Sequence, residues 1–118
     1  MIQCNAMVFG WDKAVAGREG LASELFSQCV TWFDRWKASG AIEAWEPMWM
    51  ASHGGDLNGM FTIRGTQAQL TTLRSTDEWL DLVMRANQCL TSVGVIEAWT
   101  GTKVQDLMAR WTKTIPTR

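Results

Sequence analysis

The sequence predicts one α+β domain, residues 1–118, in which two β-α-β units follow each other along the chain. The first observation is a repeat. The letters IEAW occur at 42–45 and again at 96–99, an offset of 54 residues. Apolar positions elsewhere coincide at the same offset, so we predict an internal duplication covering roughly 4–47 and 58–101. The second observation is periodicity, because apolar residues alternate in the outer segments of each unit and recur at helical spacing between them.

In the first unit, residues 4–11 form a nearly continuous apolar run of strand length. A helix is predicted within 16–40, and Gly40 stands where a glycine commonly ends a helix. A second strand is predicted over 41–50. The apolar stripe of the helix consists of Leu21, Leu25, Cys29, Trp32, Phe33 and Trp36.

The second unit begins with a strand over 58–65 and continues with a short helix and a longer helix within 66–90. Ser75 and Glu78 have the spacing of a capping box at the start of the longer helix. A fourth strand is predicted over 94–99. A C-terminal helix follows at 102–112, with Thr102 as its N-cap candidate and an apolar face of Val104, Leu107, Met108 and Trp111.

The order β-α-β-β-α-β is that of the ferredoxin-like fold, whose four antiparallel strands are ordered 4-1-3-2. The second and fourth strands are then the edges of the sheet. Pro47 fits this placement of the second strand, since proline is tolerated at a sheet edge but not in its centre. The first strand is expected at the centre, where its apolar residues suit burial on both faces.

Helices cover one face of such a sheet, and alternation divides the strand residues between the two faces. We assign Ile42, Ala44, Phe61, Ile63, Ile96 and Ala98 to the helix side. The second face then carries Ala6, Val8, Glu43, Trp45, Thr62, Arg64, Val95, Glu97 and Trp99. This mixture is too apolar for water and too charged for a plain core. We therefore expect a homodimer in which two sheets pack face to face.

The segment TQAQLTTLRSTDEWLDLVMRA at 66–86 places a short helix before a longer one that starts S-x-x-E-W. Together with the order of elements, it resembles the dimeric α+β-barrel superfamily, which includes cofactor-independent antibiotic-biosynthesis monooxygenases and stress-responsive barrel proteins. The HGGDLNG segment at 53–59 is similar to one found in a group of bacterial proteins. The resemblance implies a barrel that two protomers close together.

Some haem-degrading members of that superfamily use an Asn, a Trp and a His, and this chain has Asn5, several Trp and His53. The family's His lies on the helix of the second half, whereas residues 77–90 here contain none. Other members depend on tyrosines, which this chain lacks. We therefore do not transfer oxygenase activity to this chain.

Composition excludes several classes of partner. The net charge of −1, with no basic block, argues against nucleic acid and anionic membranes. No apolar run is long enough to span a bilayer, and no basic region precedes an apolar stretch at the N-terminus, so we expect a cytoplasmic protein. Cys4, Cys29 and Cys89 are expected to be free, buried thiols. One His and no C-x-x-C pair predict no metal site, and we expect no cofactor.

Glu43 and Glu97 are the charged residues inside the two IEAW copies. On opposite edges of one sheet they would be roughly 14 Å apart, too far for a carboxylate pair within one protomer. We favour an interior salt bridge to Arg64. An even-numbered loop in the 48–60 hairpin would bring Arg64 to the face of Glu43, and an odd-numbered loop would reverse this.

His53 and Asp56 lie in the glycine-rich HGGDLNG turn. His titrates near neutrality, so the two side chains could hold a proton or a metal. Two ligands on one turn do not make a metal site, and we favour a hairpin turn capped by its own Asp. The alternative is a functional loop at the mouth of the barrel.

The expected function is binding, or cofactor-free turnover, of a small apolar or aromatic molecule inside the barrel. Trp45 and Trp99 would line the cavity with Thr62, and Trp49 would stand at its mouth. The orienting groups would be Glu43, Glu97 and Arg64, with His53 and Asp56 at the entrance as further catalytic candidates. The alternative is a structural or interaction protein whose second face is only a dimer interface.

Overall fold

The computed structural model describes residues 2–117. Its elements, in chain order, are β1 (Ala6–Trp11), α1 (Glu19–Ser39), β2 (Ala44–Trp49), β3 (Gly59–Arg64), α2 (Gln67–Arg74), α3 (Asp77–Cys89), β4 (Gly94–Ala98) and α4 (Thr102–Lys113). The four strands form one open antiparallel sheet in the order β2-β3-β1-β4. Read from the β4 edge, this order is 4-1-3-2. The α+β class is thus confirmed, and Pro47 lies in an edge strand as expected.

Glycine and threonine residues set the ends of the helices. Gly40 ends α1 with φ 83°, a left-handed conformation that favours glycine. The capping box predicted at Ser75 and Glu78 is wrong, because Ser75 ends α2 and the Thr76 side chain caps α3. A true capping box opens α2 instead. There the side chains of Thr66 and Gln69 each accept a hydrogen bond from the other residue's backbone N–H.

α1 and α3 lie against one side of the sheet, here called the helix-covered face. Phe33 of α1 is fully buried, and its ring lies 5.0 Å from that of Phe61 on β3. Trp79 of α3 meets Phe9 of β1 edge to face at 5.9 Å. These aromatic contacts form the centre of the core, which also includes Met7, Leu25, Ile42, Ile63, Leu70 and Leu82.

The register of the strands defines the opposite side, here called the open face, on which alternate residues form three rows across the sheet. The first row is Ala44, Arg64, Ala6 and Ala98; the second is Glu46, Thr62, Val8 and Ile96; the third is Met48, Met60, Gly10 and Gly94. No helix among residues 2–117 lies on this face, since α1, α2 and α3 pack together on the other side and α4 packs on no strand. Ile96 is 55% exposed there.

The predicted division of strand residues between the faces is half right. Ala6, Val8, Thr62 and Arg64 lie on the open face, and Phe61 and Ile63 lie on the helix-covered face, as expected. The assignment of Trp45, Val95, Glu97 and Trp99 to the second face is wrong, as is that of Ala44, Ile96 and Ala98 to the helix side. Register places Val95 and Glu97 opposite Phe9 and Met7, and Trp45 opposite Ile63.

The error in β2 has a local cause. The chain bends at Glu43, and regular alternation begins only at Ala44. Ile42, before the bend, is 2% exposed and belongs to the core. Trp45, three residues later, also faces the helices. A strict period of two counted from Ile42 therefore gives the wrong face for every residue of β2.

α4 projects from the rest of the protein. Within residues 2–117 it packs against no other helix or strand, and none of its residues is buried. The radius of gyration, 16.2 Å, exceeds the roughly 13.5 Å of a compact chain of this length. Thr102 is the first helical residue of α4, and the N-cap is Gly101, so the predicted Thr102 cap is wrong. In the described part of the chain, no helix is both long and apolar enough to cross a membrane.

Candidate functional site

The open face has two regions of different character. The small-residue end is the first row, in which Arg64 stands among three alanines. The apolar patch is made of Val8, Met48, Leu57, Met60 and Ile96. Leu57 belongs to it because its Cδ1 lies 2.6 Å from where a Cβ on Gly10 would be, so the 50–58 loop folds onto the sheet there. The exposed apolar side chains of the patch are available to another surface.

A shallow depression of about 190 Å³ opens at the small-residue end, along β2 and β3. Its lining residues are Ala44, Trp45, Glu46, Thr62 and Arg64. The Thr62 hydroxyl donates to the backbone oxygen of Glu46 at 3.3 Å, which fixes that side chain across the strand pair. The depression thus combines a small apolar floor with a guanidinium, a hydroxyl and a carboxylate.

Arg64 does not form the expected salt bridge with Glu43. The 50–58 loop has an odd number of residues, so Arg64 pairs with Ala44 and points to the open face. Glu43 is exposed at the bend, and its contact with Arg64 is a 2.8 Å backbone hydrogen bond. The ion pairs found among residues 2–117 are Arg35–Glu78 and Arg74–Glu97, so within that part of the chain Arg64 has no carboxylate partner.

The two tryptophans expected to line a cavity on the second face pack within the protomer, and Trp45 also borders the depression. Trp45 stacks on Phe33 at 5.4 Å, and its indole N–H donates to Asp34 on α1 at 3.1 Å. Trp99 packs against the edge of the core, and its indole N–H donates to the backbone oxygen of Ile2 at 3.2 Å. Both indoles are oriented by bonds within the chain.

Glu97 and Trp49 also differ from their expected settings. Glu97 accepts a hydrogen bond from Arg74 at the end of α2, at 3.1 Å, on the side of the helices. It lies on the opposite edge of the sheet from Glu43, so the two carboxylates do not share a site. Trp49 ends β2 on the same face as Trp45, not on the open face where a cavity mouth was expected, and it is 90% exposed. A tryptophan so exposed is a good anchor for contact with another molecule.

The HGGDLNG turn is held by His53 and Asn58. The imidazole accepts a hydrogen bond from Gly55 N–H at Nδ1 and donates to Leu57 O from Nε2, so both ring nitrogens are engaged. Asn58 donates to Gly55 O and to the Asp12 carboxylate. Asp56 is exposed, and among residues 2–117 it forms no side-chain hydrogen bond within the turn. The predicted Asp cap is therefore wrong, and bonds from His53 and Asn58 hold the turn instead.

Asn5 anchors the chain that leads into α4. Its side-chain oxygen accepts from the backbone N–H of Thr100 at 2.8 Å, and its amide donates to Thr100 O at 3.1 Å. This reciprocal pair ties the residue before β1 to the chain that follows β4. Asn5 thus clamps the segment that leads into α4.

The three cysteines are free and buried, as expected. Burial raises the pKa of the Cys29 thiol to about 12 and also raises that of Cys89, so both stay protonated and unreactive at neutral pH. Within the described residues there is no group of three or more His, Cys, Asp or Glu side chains that could hold a metal ion.

Sequence patterns alone did not indicate Glu46 and Met48 as residues of the open face. The signal that could have found them is whether the 50–58 loop has an odd or an even number of residues. Because the number is odd, Ala44, Glu46 and Met48 lie on the face of Arg64 and Thr62. Comparison with known proteins gives no family: no protein-family model, no curated protein and no solved structure matches this chain.

Proposed function

We propose that this protein is a homodimeric binding protein, in which the open faces of two protomers enclose a chamber for a small apolar molecule that carries an acidic group. The observation that carries the proposal is Arg64. It stands on an uncovered sheet face among alanines, without a carboxylate partner in residues 2–117. The dimeric α+β barrel that the sequence resembles is the arrangement in which such a face becomes an interior.

Exposed apolar side chains on the open face favour association with a second protomer. One side of the sheet is covered by helices and holds a continuous core, whereas the other side leaves Met48, Leu57 and Ile96 between 38% and 55% exposed. Removing such surface from water is favourable by roughly 25 cal/mol per Å² of apolar area, which offsets the entropic cost of association. A two-fold pair in which each protomer covers the open face of the other would remove this surface from water on both copies at once.

The case for a chamber rests on side-chain size. Three of the four residues in the first row are alanines, and the depression beside them already opens to the face. A floor of such small side chains, once covered by a second protomer, leaves room that large side chains would have filled. The apolar patch at the other end of the face supplies contacts for that protomer.

The chemistry of the ligand follows from Arg64. A guanidinium donates two parallel hydrogen bonds to a planar carboxylate, and such charge-assisted bonds strengthen when water is excluded. Thr62 adds a hydroxyl, and Glu46 adds an acceptor for a donor group on the ligand. The geometry supports binding. For cofactor-free turnover, Glu46 is the carboxylate that lines the depression and would act as the base.

A matched pair of dyes tests this function. Anilinonaphthalene sulfonate has an apolar body with an anionic group, and N-phenylnaphthylamine has the same body without it. In fluorescence titrations, Arg64→Gln should weaken sulfonate binding at least about tenfold, because the charge-assisted hydrogen bonds to the anionic group are lost, and leave the neutral dye unchanged. Arg35→Gln is the control, since Arg35 is an exposed arginine of α1, away from the open face.

Equal sulfonate affinity in the Arg64 and Arg35 variants would refute the role of Arg64. If neither dye binds saturably, the chamber is closed by its own side chains. The structural or interaction protein that the sequence leaves as the alternative would then be the better description.

A further inference from the structure

The projecting helix α4 has an apolar stripe with nothing packed on it in residues 2–117. Val104, Met108 and Trp111 lie at i, i+4 and i+7, and they are 44%, 52% and 58% exposed. Side chains at these spacings share one helix face. We propose that this stripe docks on the apolar patch of the open face of a second copy of the chain. The inference rests on the proposed homodimer and adds the element that completes its chamber.

The start of α4 has a fixed position and orientation relative to the sheet. The reciprocal hydrogen bonds between Asn5 and Thr100 fix the chain just before the helix. Gly101 then turns the chain with φ 60° and ψ −131°, a conformation essentially restricted to glycine. The helix therefore leaves the β4 edge in a defined direction, away from its own sheet.

Charge favours a second copy as the occupant. Residues 102–118 carry four basic side chains and one acidic one, a net charge of +3, whereas residues 1–101 carry seven basic and eleven acidic ones, a net charge of −4. The C-terminal segment is thus attracted to the body of another copy, and two bodies without it would repel each other. Exchange of α4 in both directions closes under two-fold symmetry, so it yields a dimer.

The dimensions agree with helix-on-sheet packing. Twelve helical residues extend over roughly 18 Å. The open face measures about 14 Å across four strands and about 20 Å along them. One α4 can therefore cover the apolar patch and leave the small-residue end free. Because α4 departs at the small-residue end of its own sheet, the two sheets must lie with opposite ends together.

The docked helix gives the site a part that a single chain lacks. Met108 and Trp111 of one copy would form a wall of the other copy's chamber, beside Val8 and Ile96. The ligand site of each protomer is then incomplete without its partner, and loss of α4 should open it to water.

Two methionines of similar exposure provide a matched test of the interface. Met108→Glu places a charge in the α4 stripe, and Met84→Glu places one on α3, where Met84 is 56% exposed. By light scattering at micromolar concentration, Met108→Glu should weaken dimerisation at least tenfold and weaken dye binding with it, whereas Met84→Glu should behave like the native chain. A dimer that survives Met108→Glu with full dye binding overturns the docking of α4 and leaves the proposed function standing. A monomeric native protein overturns both.

Cross-linking of mixed chains tests the direction of exchange without relying on a disruptive charge. One population carries Met108→Cys and the other carries Met48→Cys on the apolar patch; in the comparison, Ala44→Cys at the small-residue end replaces Met48→Cys. Oxidation should give cross-linked dimers with Met48→Cys at least tenfold faster than with Ala44→Cys. Equal rates overturn the docking site. So does a Met48→Cys, Met108→Cys double variant that forms its disulfide within one chain when diluted into excess native protein, because α4 would then cover its own face.

Discussion

The two copies of IEAW end in different environments although their letters are identical. In the first copy, Ile42 is 2% exposed in the core, whereas in the second copy Ile96 is 55% exposed on the open face. The two alanines behave alike, because Ala44 and Ala98 both lie on the open face, at its two edges. The difference teaches that a strand residue's face depends on where regular pairing begins. A bend at Glu43 precedes β2, whereas β4 is already paired at Gly94.

The largest expected change in stability distinguishes the isoleucines of the two copies. Ile42→Ala should lower the free energy of unfolding by about 3 kcal/mol, because it leaves a cavity in the core. Ile96→Ala should lower it by less than about 0.5 kcal/mol at concentrations that keep the chains apart. Urea denaturation of both variants measures the two values. Equal losses would mean that the two isoleucines are equally buried, which contradicts the register of β4 on β1.

The second prediction compares positions 29 and 83, which are 54 residues apart. Burial raises the pKa of Cys29 to about 12, and the unfolded thiol titrates near 9. As the pH rises, the Cys29 thiol therefore loses its proton in the unfolded chain before it does so in the folded protein. The contribution of this thiol to the free energy of unfolding is fully present below pH 9 and is lost as the pH rises towards 12. Cys29→Val introduces the residue found at the equivalent position of the second unit, Val83. Between pH 8 and about pH 10.5, the free energy of unfolding of the native protein should fall by about 2 kcal/mol more than that of Cys29→Val.

Chemical denaturation at both pH values gives that difference. If the free energy of unfolding changes by the same amount in both proteins between the two pH values, the Cys29 thiol ionises as readily in the folded state as in the unfolded chain. The low reactivity of the thiol can be checked on the native protein by alkylation at neutral pH, where labelling should require unfolding.

The third prediction concerns the segments that come after the two copies. The first copy continues into β2, whereas the second ends at the Asn5 clamp on Thr100. Asn5→Ala should lower stability by about 1 kcal/mol through loss of partly buried hydrogen bonds, and hydrogen exchange should accelerate at the start of α4. Asn87→Ala, which removes an exposed bond on α3, is the control and should change neither quantity. Unchanged exchange in α4 would show that the clamp does not hold the helix.

The smallest effect separates the two glutamates. Glu97→Gln removes a partly exposed ion pair with Arg74 and should cost less than about 0.5 kcal/mol, a loss that salt reduces. Glu43→Gln should cost nothing measurable, since Glu43 is exposed at the bend without an ion pair within residues 2–117. Thermal melts at low and high salt compare them. A larger effect at Glu43 would place that residue in an interaction between copies.

Most of the fold was accessible from the sequence because it depends on local signals. Periodicity located the helices, Gly40 ended α1, and Pro47 placed β2 at an edge. The candidate site was less accessible because it depends on register. A bend at Glu43 places the Trp45 ring against Phe33 of α1. The odd number of residues in the 50–58 loop pairs Arg64 with Ala44 and so places Arg64 on the open face.

The sequence by itself determined the class of the fold and the apolar character of two surfaces, since residue type and spacing carry that information. Only the tertiary structure decided which strand residues share a face, because one residue of slip inverts every side chain of a strand. It also decided that Trp45 and Trp99 pack against the edge of the core and that α4 contacts no other helix or strand within residues 2–117. The helix has the amphipathic pattern of a core element, and its place was set by the turn at Gly101 and the clamp at Asn5.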